Sequence, residues 1–222
     1  MSFVKLKHLY EYMPHTIIPK GQADSFAGKY GLGVRHNTIW TPEPEKDKLY
    51  KIIPERYHKD FQVTRMSINS LLLPHVDNDF ITTINFYYEP GDYKTIFWKA
   101  KPGASSWKTE EDRHTEVNDE PMKLNDINIE DLKNRVKDFV SEKRNMPTCE
   151  EITYVDAVYA FDDVYEIASF TANANEAYML DVRVPHNVEP LNGNKIRKAF
   201  ALRTRHYEYS EVYEMLKETG NL

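Results

Sequence analysis

The chain has 222 residues and a net charge of −6 at pH 7, which argues against a nucleic-acid binder working through a broad basic face. Its single cysteine, Cys149, excludes an internal disulfide and any thiolate cluster for zinc or iron–sulfur. No stretch approaches the roughly 20 apolar residues of a membrane span, and Met1-Ser-Phe-Val-Lys-Leu-Lys carries no signal-like apolar run, so cytoplasm is the expected compartment.

Hydrophobic residues make up 41% and aromatics 13%, with 15 tyrosines, a balance that suits pleated, half-buried strands. Over residues 1–60, Pro14, Pro19, Pro42, Pro44 and Pro54, with Gly21, Gly28, Gly31 and Gly33, punctuate the chain into short strands and loops. Phe61 to Leu73 reads as one strand or two joined by a bend. Phe80 to Tyr88 is β-branched or aromatic nearly throughout, and Tyr93 to Trp98 repeats the pattern. The Pro90-Gly-Asp92 turn between them predicts a hairpin. Lys99 to Glu120 is polar and aperiodic and reads as a loop. Apolar residues at 129, 132, 136, 139 and 140 then predict a helix over Ile127–Arg144, with Asn128 as N-cap. Strands resume near Ile152 and run with breaks to Arg205. A terminal helix is predicted over Glu211–Thr219, with Ser210 as N-cap and Gly220 as stop. The reading is a single all-β domain over 1–222 with helical additions, carrying a loop-plus-helix insertion at about 99–148.

The pattern His75-Val-Asp77 falls between two predicted strands. Residues i and i+2 point the same way on a pleated strand, so an imidazole and a carboxylate can meet one metal ion there. Enzymes that activate O₂ on non-haem iron use two imidazoles and one carboxylate and leave other positions open. His186, in a strand and directly after a proline, supplies the second imidazole. His58-Lys-Asp60 repeats the motif in polar surroundings at the start of a strand and is discounted. His206-Tyr-Glu208 reads as surface. After His186 comes Asn192-Gly193, a strong two-residue hairpin signal. Such a turn would pair His186 with Ala199 and Val188 with Arg197. Arg197 would then lie diagonally from His186, about 7–8 Å away, with Ala201 and Arg203 on the same face.

These residues resemble the 2-oxoglutarate/Fe(II)-dependent dioxygenase superfamily. Its signature is His-x-Asp, a distal His, and a basic residue some ten to fifteen positions later, matched here by His75, Asp77, His186 and Arg197. Gly91-Asp-Tyr-Lys-Thr95-Ile-Phe97 is similar to a Gly-Gly-x-Thr-x-Phe strand of many members, with one glycine and a longer gap. The separation of Asp77 from His186 is about twice that of compact members. The resemblance covers roughly residues 63–98 and 150–205. It implies a double-stranded β-helix (a cupin-like jelly roll), with Fe(II) on His75, Asp77 and His186 as catalytic metal ligands. It also implies 2-oxoglutarate as co-substrate, its far carboxylate on Arg197, with Asn85, Tyr87, Thr95 and Arg203 as further contacts. O₂ and an unassigned primary substrate complete the reaction, of hydroxylase or demethylase type.

Two other readings stand beside it. One is a cupin-like metal dioxygenase without 2-oxoglutarate, in which Arg197 has no role. The other is a non-catalytic jelly-roll binding or structural protein, in which the histidines are incidental. Taken singly, a strand histidine is more often structural than a ligand, an arginine near a turn is more often a surface charge, and Asn85 and Tyr87 are more often core. The combination is what points to a metal site.

Overall fold

The computed structural model describes residues 1–7, 22–25, 35–39, 48–68, 71, 73–77, 80–104, 106–110, 112–114, 134, 155–192 and 197–222. Two sheets contain the fourteen strands among these residues, and every strand pairing is antiparallel. In chain order the strands are β1 (Phe3–Lys5), β2 (Gln22–Ser25), β3 (Arg35–Ile39), β4 (Phe61–Ile68), β5 (His75–Val76), β6 (Thr82–Glu89) and β7 (Tyr93–Ala100). They continue as β8 (Trp107–Glu110), β9 (Asp112–His114), β10 (Val155–Val158), β11 (Val164–Thr171), β12 (Glu176–Asp181), β13 (His186–Pro190) and β14 (Arg197–Thr204). One sheet has the order β1-β12-β6-β14-β4-β3-β2-β9, the other β11-β7-β13-β5-β10-β8.

The pairing is nested. β4 pairs with β14, β5 with β13, β6 with β12 and β7 with β11, so two chain segments run as one long ribbon. Successive strands along each arm alternate between the two sheets. This alternation overturns two predicted hairpins. β6 and β7 belong to different sheets, so Pro90-Gly91-Asp92, with Gly91 at φ 60°, carries the chain from one sheet to the other. β13 and β14 are likewise in different sheets, which excludes the Asn192-Gly193 hairpin and its register. Turn chemistry reports a local reversal and not which sheet receives the next strand.

The larger sheet buries both faces. Inward, towards the second sheet, it presents Met66, Ile68, Tyr87, Tyr178, Leu180 and Ala199, which pack with Tyr93, Phe97 and Val188 from across the sandwich. Outward it presents Val63, Ile84, Phe86, Met179, Phe200 and Leu202 to Leu49, Ile52 and Ile53 and to the C-terminal helix, Tyr209–Glu218. That helix buries Val212, Met215 and Leu216, the i, i+3, i+4 stripe of an amphipathic helix. Its N-cap is Glu208 rather than the predicted Ser210. Glu208 and Glu211 form a reciprocal capping box, so the helix starts two residues earlier than expected.

The segment predicted as a loop at Lys99–Glu120 contains the end of β7 and the strands β8 and β9. Its polar composition fits short, charged strands near sheet edges as well as it fits a loop. The predicted helix over Ile127–Arg144 lies, apart from Asn134, outside the described residues, as does Cys149. No helix among the described residues is long and apolar enough to cross a membrane.

Candidate metal centre

Three strands bring the site together. β5 and β13 pair with His186 directly opposite His75, and β7 flanks β13 with Phe97 opposite His186. The two imidazole rings lie 4.5 Å apart at their centroids. Asp77 follows β5 by one residue, and its backbone N–H donates to the Val182 carbonyl at 3.1 Å, which ties the end of the motif to the segment leading into β13. His75 Nε2 lies 3.4 Å from Asp77 Oδ1. One potential ligand atom from each of His75, Asp77 and His186 lies within 4.8 Å of the others. That span is slightly more than twice a usual metal–nitrogen distance of about 2.1 Å, so small side-chain rotations close the set on one ion.

Each imidazole is held in the same way. Nδ1 of His75 donates to the Leu73 carbonyl at 2.7 Å, and Nδ1 of His186 donates to the Val184 carbonyl at 3.0 Å. A proton held on Nδ1 leaves Nε2 with its lone pair, the tautomer a metal ligand needs. Both histidines are buried, at 1% and 7% exposure.

The triad opens onto a cavity of about 40 Å³ between the sheets. Leu180, Val182 and Val188 give it apolar walls, while Thr83, Asn85, Thr95, Arg197 and Arg203 give it polar ones. Arg197 is 2% exposed, with its guanidinium carbon 4.4 Å from the Tyr87 ring centroid. Its Nε and Nη1 make no hydrogen bond among the described residues. Neither do the Thr95 and Thr83 hydroxyls, the Asn85 Oδ1 or the Tyr93 hydroxyl, all buried. Buried donors and acceptors in native proteins are nearly always paired, so this concentration marks a place for a polar ligand. Arg203 lies 5.1 Å from the Phe80 ring, with Nη2 4.0 Å from Met66 Sδ.

All eight residues singled out from the sequence therefore line one cavity. The route to Arg197 differs from the expected one: it faces the triad across the sandwich, from the other sheet, instead of sharing a hairpin with His186. The other motif copies are engaged elsewhere. His58 lies in a 3₁₀ turn, Glu55–Asp60, with Nε2 2.7 Å from the Ile53 carbonyl, while Asp60 accepts from the Tyr207 hydroxyl and His206 is exposed.

No protein-family model matches the chain, and no curated protein matches it.

One residue escaped the sequence reading. Tyr93 shares a face with Thr95 and Phe97, is 2% exposed, and sits near enough to Arg197 to feel its charge. Burial pushes its phenol well above the usual range and Arg197 partly offsets this, so it is a neutral hydroxyl donor. The period-two spacing from Thr95 was the signal that could have found it.

Proposed function

We propose that the protein is an Fe(II)- and 2-oxoglutarate-dependent oxygenase on a double-stranded β-helix. The nested ribbon supports the fold: a two-stranded ribbon rolled up so that its strands alternate between two sheets is the path of a jelly roll. One observation carries the function. The His75–Asp77–His186 cluster and the buried Arg197, with hydrogen-bond donors unused among the described residues, line the same cavity from opposite sheets.

The donor set fits the metal. Two imidazoles and one carboxylate form the facial triad of non-haem Fe(II) oxygenases, and among the described residues no thiolate joins the cluster to favour a softer ion. The far wall fits a carboxylate. A planar guanidinium binds a carboxylate through two parallel hydrogen bonds and stays charged when buried, and the Thr95 hydroxyl adds a neutral donor to the same cavity. Bound there, iron(II), 2-oxoglutarate and O₂ together supply the oxidising power that oxygenates a substrate as 2-oxoglutarate becomes succinate and CO₂. The chain's own residues do the rest. The Leu73 and Val184 carbonyls fix the imidazole tautomers, the Val182 carbonyl anchors the Asp77 backbone, Arg197 orients the dicarboxylate from its far end, and Leu180, Val182 and Val188 limit water.

The deciding experiment is an anaerobic titration of metal-free protein with Fe(II) and then 2-oxoglutarate, followed by the weak visible charge-transfer band of the chelate. The band is expected in the wild type and lost in His75→Ala. Iron binding without the band would favour a cupin-like dioxygenase that uses no 2-oxoglutarate. No iron binding would leave a jelly-roll binding protein.

A further inference from the structure

Outside the cavity, one residue grips the strand that bears His186 on both sides of the histidine, through its backbone and its side chain. The Trp98 backbone N–H donates to the Pro185 carbonyl at 2.7 Å, and its indole Nε1–H donates to Asn187 Oδ1 at 2.9 Å. Residues 185 and 187 bracket His186. Asn187 is fully buried, at 0% exposure, and the indole rests edge-on against Phe161 with ring centroids 5.9 Å apart. Because His186 lies opposite Phe97, its imidazole faces the cavity, while the Trp98 and Asn187 side chains occupy the other face of the sheet.

The backbone pairs this strand with β7 along its whole length but with β5 only at His186. β13 has five residues and is bounded by Pro185 and Pro190, neither of which has an N–H to donate to a ladder. A buried asparagine paired with an indole adds little net stability compared with an apolar pair, since both polar groups must leave water. Its distinctive effect is directional. It fixes the rotation and height of β13 against β7, and so the place where Nε2 of His186 stands.

We propose that Trp98, acting through Asn187, is a positioning residue for His186. This inference rests on the metal-centre reading above. His75 has a different support: it sits on β5, whose own contacts are with β10 and β13. His75 is also held by the Val158 pairing and the Leu73 carbonyl, so loss of the clamp falls first on His186.

The test uses the full chain with Trp98→Phe, which removes the indole donor but keeps an aromatic ring against Phe161, and Asn187→Ala. In metal-free protein at about pH 8, long-range ¹H–¹⁵N spectra report where each ring carries its proton. The wild type is expected to show the Nδ1–H form for both histidines. Trp98→Phe is expected to give a tautomer mixture at His186 alone, with His75 unchanged. Mn(II) titration is expected to show at least about 10-fold weaker binding in each variant, and no further loss in the double variant beyond Asn187→Ala, because both changes break the Trp98–Asn187 bond. Equal disturbance of His75 and His186 would mean general loosening and overturn the proposal, as would unchanged spectra or additive losses. A wild type that binds no Mn(II) yet shows the selective tautomer change at His186 would sink the metal reading and leave the positioning role of Trp98 standing.

Discussion

At the scale of single residues, the cavity sets different tasks for groups of similar polarity. Arg197 is the buried cation that a dicarboxylate would meet. Arg197→Ala is expected to weaken 2-oxoglutarate binding at least about 100-fold while Fe(II) binding persists, measured by calorimetric titration of each ligand. Arg197→Lys should recover part of the loss, because a point charge lacks the guanidinium's two-pronged geometry. Tyr93, buried close enough to Arg197 to feel its charge, gives a second test. Its hydroxyl is buried without a hydrogen-bond partner among the described residues, so Tyr93→Phe removes a destabilising group from the ligand-free protein. Chemical denaturation should show that variant stabilised by about 1 kcal/mol, with 2-oxoglutarate affinity roughly 10-fold lower. A variant that is both less stable and unchanged in affinity would place the hydroxyl elsewhere in the structure's economy. The metal cluster was legible from sequence because His-x-Asp is a local device and a strand histidine after proline is conspicuous. Tyr93 was not, since a buried tyrosine and a ligand-binding tyrosine are written alike until neighbouring charges are known.

At the scale of elements, the strands were far easier to read than their partners. β6 and β7 coincide closely with the β-branched and aromatic runs, and β14 extends over the predicted final strand. Both predicted hairpins failed because their turns lead from one sheet to the other. Arg197 nevertheless lines the site, since a residue directed inward from either sheet enters the same space. The terminal helix shows a similar limit. Ser210 is the better N-cap by type, yet Glu208 takes the position because Glu211 completes the capping box from three residues on. Glu208→Ala is therefore expected to cost about 1 kcal/mol, and thus about 2–4 °C of thermal midpoint, whereas Ser210→Ala should leave it nearly unchanged. Thermal unfolding followed by circular dichroism separates the two assignments. The reverse ranking would restore Ser210 as the cap.

For the whole molecule, pH and metal act on stability from separate places. Glu176 accepts hydrogen bonds from Lys5, Asn173 and Tyr178, and so ties β1, β12 and the turn before β12 together. Burial alone would raise its pKa, but these donors outweigh burial and hold it at about 2, against an ordinary 4.5. A carboxyl depressed by folding stabilises the folded state above its unfolded pKa. That contribution fades as pH falls from about 4.5 to about 2. Denaturant unfolding should show Glu176→Gln less stable than wild type at pH 6, with the gap closing towards pH 2. A gap independent of pH would mean that the carboxylate charge has no part in it. Metal should add stability by mass action: at about 100 times its dissociation constant, Mn(II) is expected to contribute about 2.7 kcal/mol, removed by chelator and absent in His186→Ala.

The nested order of the ribbon also has a kinetic consequence. Pairings enclosed one within another close most cheaply from the inside outward, because each completed rung shortens the loop the next must close. The innermost rung is β8 with β10, then β7 with β11 and β6 with β12, while His75 and His186 meet only on β5 with β13, and β4 joins β14 after them. The His75–Asp77–His186 cluster thus comes together late. Metal added to the unfolded chain should slow unfolding far more than it speeds refolding, and a rapid-mixing experiment with and without Mn(II) would show the effect almost wholly on the unfolding limb.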